Sequence, residues 1–362
     1  MSKFPRKTAR LYFGCITSFL ISTAAHGWTF AVSGDSRNCG DVVMPAIAKE
    51  SLKHNIRFYW HLGDLRAIDK IDEDLAHDSQ RKTPVTVTEY QSLAWKDFID
   101  SQLKPFGLTP VFVSVGNHEI QRGHTREEFN TLFRPWLDSP PIHFAKVADG
   151  EGDGAVVPYN HWIQDGVDFI SLDNATHDQF DETQMTWFKK VLSHDEGDET
   201  IKTIVVGMHE ALPESISRGH SMSESKDSPV PEKSGREVYQ QLLRVKNGAK
   251  KNVYVLASHS HFYMEGIFNT PYWQEHGGIL PGWIVGTAGA VRYTLPKEAT
   301  DAIDAKTNVY GYLLATVQAN KDIRFQFELI KKSDVPKDIV KRYGPGFIDF
   351  CFNKNSSSFR PE

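Results

Sequence analysis

Apolar residues along the chain fall into short runs rich in valine, isoleucine and aromatics, and most of these runs stop at a glycine or serine followed by a polar side chain. Residues 28–33, 57–62, 111–115, 203–206 and 252–256 each have the length and composition of a buried strand. Between them lie longer stretches with apolar positions on one side, and these predict helices over 40–54, 90–106, 125–136, 183–192 and 234–247. The first such strand–helix–strand spacing predicts a parallel pairing, because a helical crossover returns the chain in the same direction. Residues 159–162 and 167–172 flank Asp165-Gly166 and predict a hairpin. Further strands are expected at 283–285 and 312–317, and the alternation in 325–330 predicts an antiparallel edge. Everything from residue 331 on reads as a tail.

Two segments break this rhythm. Residues 67–87 are charged and irregular, and they read as an insertion over a site, with Asp69-Lys-Ile-Asp-Glu-Asp74 as a solvated acidic face. That cluster lacks the glycine and closing glutamate of a calcium loop. Residues 212–236 are rich in serine, proline, glycine and charge, and a loop of that length directly after a candidate ligand predicts a lid.

The strand ends carry the chemistry. They run in order into Gly34-Asp35-Ser36-Arg37, Gly63-Asp64, Gly116-Asn117-His118-Glu119, Gly207-Met208-His209-Glu210 and Ser258-His259-Ser260-His261. Ligands in α/β sheets gather beyond the carboxyl ends of strands. After Val111–Val115, Gly116 is expected to permit an abrupt turn that delivers Asn117, His118 and Glu119 at a strand tip.

This ordered series resembles the calcineurin-like metallophosphoesterase superfamily, specifically its purple-acid-phosphatase-like branch, over about residues 28–330. The resemblance implies an α/β sandwich: two mixed β-sheets flanked by helices in four layers. It implies two metal ions, of iron, zinc or manganese, with Asp64 bridging them. Asp35 and His261 would hold the first, and Asn117, His209 and His259 the second. A metal-activated hydroxide would then attack the phosphorus of a phosphomonoester or phosphodiester, on a small molecule or a protein. His118 would contact the phosphate and protonate the leaving oxygen as general acid. Glu119 would orient that imidazole or serve structure.

Two positions depart from the family pattern. Arg37 stands where most relatives have a histidine ligand, and Ala67 stands where true purple acid phosphatases have the tyrosine that gives their colour. A guanidinium cannot ligate a cation but matches a pair of phosphate oxygens, so Arg37 is expected to bind substrate. The alternative function is a non-catalytic phosphate- or ligand-binding protein on the same scaffold, with an impaired first metal site. His61 reads as a core histidine. His118-Glu119 and His209-Glu210 lack the second histidine of a zinc-protease helix, and Gly219-His-Ser-Met-Ser223 lacks the last glycine of a nucleophile elbow.

A hydrophobic content of 40% with 12% aromatics, over 362 residues, supports a sizeable core and excludes global disorder. The net charge of −5 provides no basic footprint for nucleic acid. Lys3, Arg6, Lys7 and Arg10 precede an apolar run from 11 to 23 and then small residues, so residues 1–27 read as a signal peptide, with an uncleaved anchor as the alternative. The expected product is secreted or periplasmic, with residues 28–332 as the metallophosphoesterase domain, 333–362 as a tail packed on it, and no membrane span after cleavage. Two cysteines then remain, Cys39 and Cys351, either bridged or separately buried. Cys39 lies in the first-motif loop and Cys351 in an apolar patch that must pack somewhere, so a disulfide clipping the tail across that loop is expected.

Overall fold

The computed structural model describes residues 27–358 apart from 82, 153, 176–178 and 224–227; the signal-peptide reading of residues 1–26 lies outside the described residues. The strands are β1 (Trp28–Ser33), β2 (Tyr59–His61), β3 (Val111–Val113), β4 (Asn160–Gln164), β5 (Val167–Ser171), β6 (Thr203–Gly207), β7 (Asn252–Ala257), β8 (Tyr263–Glu265), β9 (Gly282–Val285), β10 (Asp304–Lys306), β11 (Tyr310–Val317) and β12 (Ile323–Ile330). They form two mixed sheets, ordered β12-β11-β1-β2-β3 and β10-β8-β9-β7-β6-β5-β4. Within the first, β1, β2 and β3 are parallel; within the second, β5, β6, β7 and β9 are parallel.

The inner faces of both sheets are aromatic, and they bury each other. Phe112 stacks on Trp162 with centroids 3.8 Å apart, and Phe30, Phe58, Trp60, Phe169 and Trp283 complete that layer. Each aromatic removes a large apolar area from water, which is why the sheets pack face to face. The outer face of the first sheet is covered by α1 (Gly40–Leu52), through Val43 and Ile47. Further helices are α2 (Glu73–His77), α3 (Val87–Phe98), α4 (Arg126–Leu132), α5 (Arg134–Leu137), α6 (Pro140–Ala148), α7 (Glu182–Gly197), α8 (Val230–Arg244), α9 (Pro271–Glu275), α10 (Lys337–Tyr343) and α11 (Pro345–Asn353). Helices α7 and α8 cover the second sheet through Phe188, Leu192, Val238 and Leu242. The result is the α/β fold class expected, with two mixed sheets between helices.

The hairpin falls where Asp165-Gly166 predicts it, with both turn residues at positive φ. Residues 323–330 form the antiparallel edge of the first sheet. The predicted helix over 90–106 begins earlier and ends as an α-helix at Phe98, before a wider turn and a 3₁₀ turn at Lys104-Pro105-Phe106. The helix over 125–136 is broken at Phe133, immediately before Arg134-Pro135.

One expectation gains detail and one needs correction. The tail contains helices: α10 and α11 pack with Tyr343, Phe347, Ile348 and Cys351 in the cluster beneath the first sheet. The acidic run is not a solvated face, since Asp72 and Asp74 are fully buried. They surround the equally buried Arg66, whose guanidinium also meets Asp41 and Asp97. Charges are tolerated in an interior only when paired this way.

Candidate metal centre

The carboxyl ends of the parallel strands of both sheets converge at one edge of the sandwich. Asp35 follows β1, Asp64 follows β2, Asn117 follows β3, His209 follows β6, and His259 and His261 follow β7. Asp35, Asp64 and His259 all have φ near +60° (59°, 57° and 61°), a backbone region rarely used by residues other than glycine. Such strain persists where surrounding structure enforces it. Here the loops are cross-braced: Asp35 N donates to Gly63 O at 3.0 Å and Ser36 N to Asp64 O at 3.0 Å. Gly116 itself is extended (φ −112°), and the expected turn follows it as a 3₁₀ helix over Asn117–Ile120. The glycine is needed for a different reason: a Cβ would lie 2.4 Å from Asp64 N and 2.5 Å from its Oδ1.

Four donor atoms meet at one position. His209 Nε2 lies 3.2 Å from Asp64 Oδ1, 3.0 Å from Asn117 Oδ1 and 3.1 Å from His259 Nδ1. The far side of each ring decides what those atoms are. His209 Nδ1 faces the Leu62 carbonyl at 2.9 Å, and His259 Nε2 faces the Glu210 carboxylate at 3.2 Å. A carbonyl or carboxylate requires an N–H, so the neutral rings turn lone pairs inward. Lone pairs of an amide, a carboxylate and two imidazoles converge there, and that donor set suits a divalent cation. Asp64 and Asp35 raise the His209 pKa although burial opposes them, so the cluster's field favours positive charge. Burial, reinforced by His209, holds His259 well below its ordinary value.

The second cluster comprises Asp35, Asp64 and His261. Asp35 Oδ1 is 3.1 Å from His261 Nε2, while its Oδ2 accepts from Ser258 Oγ and, at 2.7 Å, from His259 N. Burial alone would raise the Asp35 pKa, but His261, His209 and Arg37 hold it well below the usual range. This cluster contains a guanidinium. Arg37 Nη2 is 3.0 Å from His261 Nε2, Nη1 contacts His118 Nε2, and Nε is 3.6 Å from Asp64 Oδ2. Among the described residues, neither Asp64 Oδ2 nor Arg37 Nε has a hydrogen-bond partner, though both are buried. An orphaned, buried carboxylate oxygen at this position fits a cationic partner.

His118 is anchored by Nδ1 on the Ala67 carbonyl at 2.5 Å, leaving Nε2 facing the site. Burial lowers its pKa, and Arg37 adds to the effect while Asp64 opposes it. Arg37, His118, His259 and His261 line a cleft of about 490 Å³ together with Lys70, His220 and Tyr293. All eight site residues named from sequence are thus in one neighbourhood, and the segments around Asp69-Lys70 and His220 reach its rim.

Of the two supporting carboxylates, Glu210 was missed, while Glu119, expected either to orient the imidazole or to serve structure, does the second. Glu119 accepts from Asp64 N, Leu65 N and Gly116 N at 2.8, 2.9 and 2.7 Å, so it shapes the loop that presents Asp64 rather than orienting the His118 ring. Glu210 fixes the His259 ring. A carboxylate directly following the candidate ligand His209 was the available signal for Glu210. Cys39 and Cys351 form a disulfide, with Cα atoms 5.9 Å apart, behind the loop carrying Asp35 and Arg37.

No family model matches the sequence, and no curated protein matches it. Among solved structures, a purple acid phosphatase from yellow lupin (Lupinus luteus) seeds superposes with a TM-score of 0.52 at 15% identity, covering 84% of this chain and 51% of that one. The chain therefore spans about half the length of that enzyme. The structure of PhoD gives 0.48 at 14% identity, covering 84% and 69%; a dimetal phosphatase from Danio rerio gives 0.47 at 12%, covering 83% and 96%. The lupin likeness shows the fold.

Proposed function

We propose that this chain, which has the calcineurin-like metallophosphoesterase fold, is an exported metal-dependent hydrolase of phosphomonoesters or phosphodiesters. The observation that carries the reading is the convergence of four ligand lone pairs from Asp64, Asn117, His209 and His259 beside a cleft bearing Arg37, Lys70 and His118. A divalent ion held there supplies charge neutralisation on phosphate and acidifies water.

The chain's own residues do the rest. Arg37 and Lys70 place two cations on the cleft wall, beside the carboxylate of Asp69, where they can meet an anionic phosphate. Arg37 aligns phosphate oxygens through its forked N–H groups. His118 Nε2, fixed by the Ala67 carbonyl behind it, stands where it can hand a proton to a leaving oxygen. An incoming phosphate brings negative charge, which offsets the burial and the Arg37 charge that hold His118 neutral in the free protein. Export accords with the pattern of residues 1–27 and with a disulfide, which persists in oxidising compartments.

A second reading, phosphate binding without turnover, is favoured by one observation: Arg37 reaches into the ligand cluster. Aryl phosphomonoesters and phosphodiesters, offered to chelated protein with manganese, zinc or iron restored, separate the two. Metal-dependent release of the aryl alcohol supports the hydrolase. Saturable phosphate binding with no release under any metal would establish the binding protein instead.

A further inference from the structure

The two halves of the metal centre differ in what satisfies them. At the first half, His261 Nδ1 faces the Val291 carbonyl at 2.7 Å and so carries the ring's proton. Its Nε2 then has a single in-plane lone pair, and Arg37 Nη2 lies on it at 3.0 Å. One lone pair cannot serve both an N–H donor and a metal ion, which would need to sit about 2.0–2.2 Å away. The same guanidinium lies beside Asp64 Oδ2 at 3.6 Å and contacts His118 Nε2. At the second half, among the described residues, the lone pairs of Asn117, His209 and His259 meet one another and Asp64.

The backbone of Arg37 is held on both sides. Ser36 N donates to Asp64 O at 3.0 Å, Asn38 N to Asp72 Oδ1 at 2.6 Å, and Cys39 is covalently tied to Cys351. Asn38 also has φ of 68°, which fixes the exit from the loop. The side chain therefore leaves a fixed anchor and reaches a cluster of two carboxylates and an imidazole, where a univalent cation is already supplied.

Resting on the hydrolase reading, we infer that this is a one-metal centre: the Arg37 guanidinium takes the place of the first metal, and only Asp64, Asn117, His209 and His259 bind an ion. His261 then accepts from Arg37 rather than ligating a metal, and Asp35 supplies negative charge near the guanidinium. The phosphate is gripped between one ion and a fixed guanidinium, which restricts which of its oxygens each can reach.

Chelated protein loaded with excess manganese, desalted and assayed by elemental analysis and electron paramagnetic resonance tests this. The expected result is close to one ion per chain with the spectrum of an isolated ion. His261→Ala is expected to keep that count, because its ring ligates nothing, whereas Arg37→His is expected to raise it to about two with the spectrum of an exchange-coupled pair. Two ions in the natural chain, or a count that falls in the His261→Ala variant, would overturn the inference while leaving the hydrolase reading intact. So would an Arg37→His variant that stays at one. A folded chain that binds no manganese and also no zinc or iron would overturn both.

Discussion

Asp195→Asn is expected to stabilise the protein, by an amount that grows with pH. Asp195 lies on α7, fully buried, and its carboxyl pKa is pushed up to about 9 by burial and then by Asp168. His194 Nδ1 is 3.8 Å from Asp195 Oδ1 but its ring is exposed, and the other nearby cations are committed elsewhere. His161 is clamped between Asp168 Oδ2 at 2.9 Å and Asp149 Oδ2 at 3.0 Å, which keeps it protonated up to about 10 despite its burial. Lys251 Nζ donates to the carbonyls of Asp198 and Ile201 at 2.7 and 2.6 Å. Asp195 therefore enters the fold carrying a proton, while in the unfolded chain it loses that proton near 3.8. Its folded pKa is raised, so its contribution is fully present below about pH 4 and is lost progressively as pH rises to about 9. At pH 7 the gap spans roughly three units at about 1.4 kcal/mol each, giving about 4 kcal/mol as an upper figure. Asparagine is isosteric and neutral at every pH. Urea unfolding of both proteins at several pH values between about 5 and 8 reads the difference directly, and it should widen by up to about 1.4 kcal/mol per unit. A variant that is less stable at neutral pH, or a difference that does not change with pH, would mean that the Asp195 carboxyl is ionised in the folded protein.

Three shorter expectations concern the site and its supports. His118→Ala should retain its metal and lose about 10²–10⁴ in turnover, with a smaller loss for esters whose leaving groups have low pKa; equal losses across leaving groups would assign the ring to phosphate positioning instead. Glu210→Ala removes the carboxylate facing His259 Nε2 and should weaken metal affinity by about 10–100-fold without unfolding the chain, as measured by competition with a metal chelator. Cys351→Ser opens a link that spans 312 positions, for which chain entropy sets an upper loss of about 6 kcal/mol; thermal unfolding with and without reductant should show the natural chain falling to the variant's midpoint.

Strand ends were the legible part of this chain. A run such as Thr203–Val206 stops being apolar where it leaves the core, so the residues placed beyond it, His209 among them, can be read off in order. What cannot be read that way is anything decided by approach between segments distant in sequence. Gly116 resembles a turn glycine, yet it is extended, and its missing Cβ matters because Asp64, from another strand, lies against it. Asp72 and Asp74 look like solvent-facing charge because the sequence does not show that Arg66 is buried among them. The same limit applies to Arg37. Its departure from the family pattern is visible from one position, but its consequence depends on where the guanidinium lands. That is set by the Asn38–Asp72 hydrogen bond, the Cys39–Cys351 link and the His261 ring, which arrive from four separate parts of the chain. A substitution that looks like the loss of a ligand thus places a cation among the remaining ones, and whether function was lost or rebuilt around that charge is a question about metal count before it is one about rate.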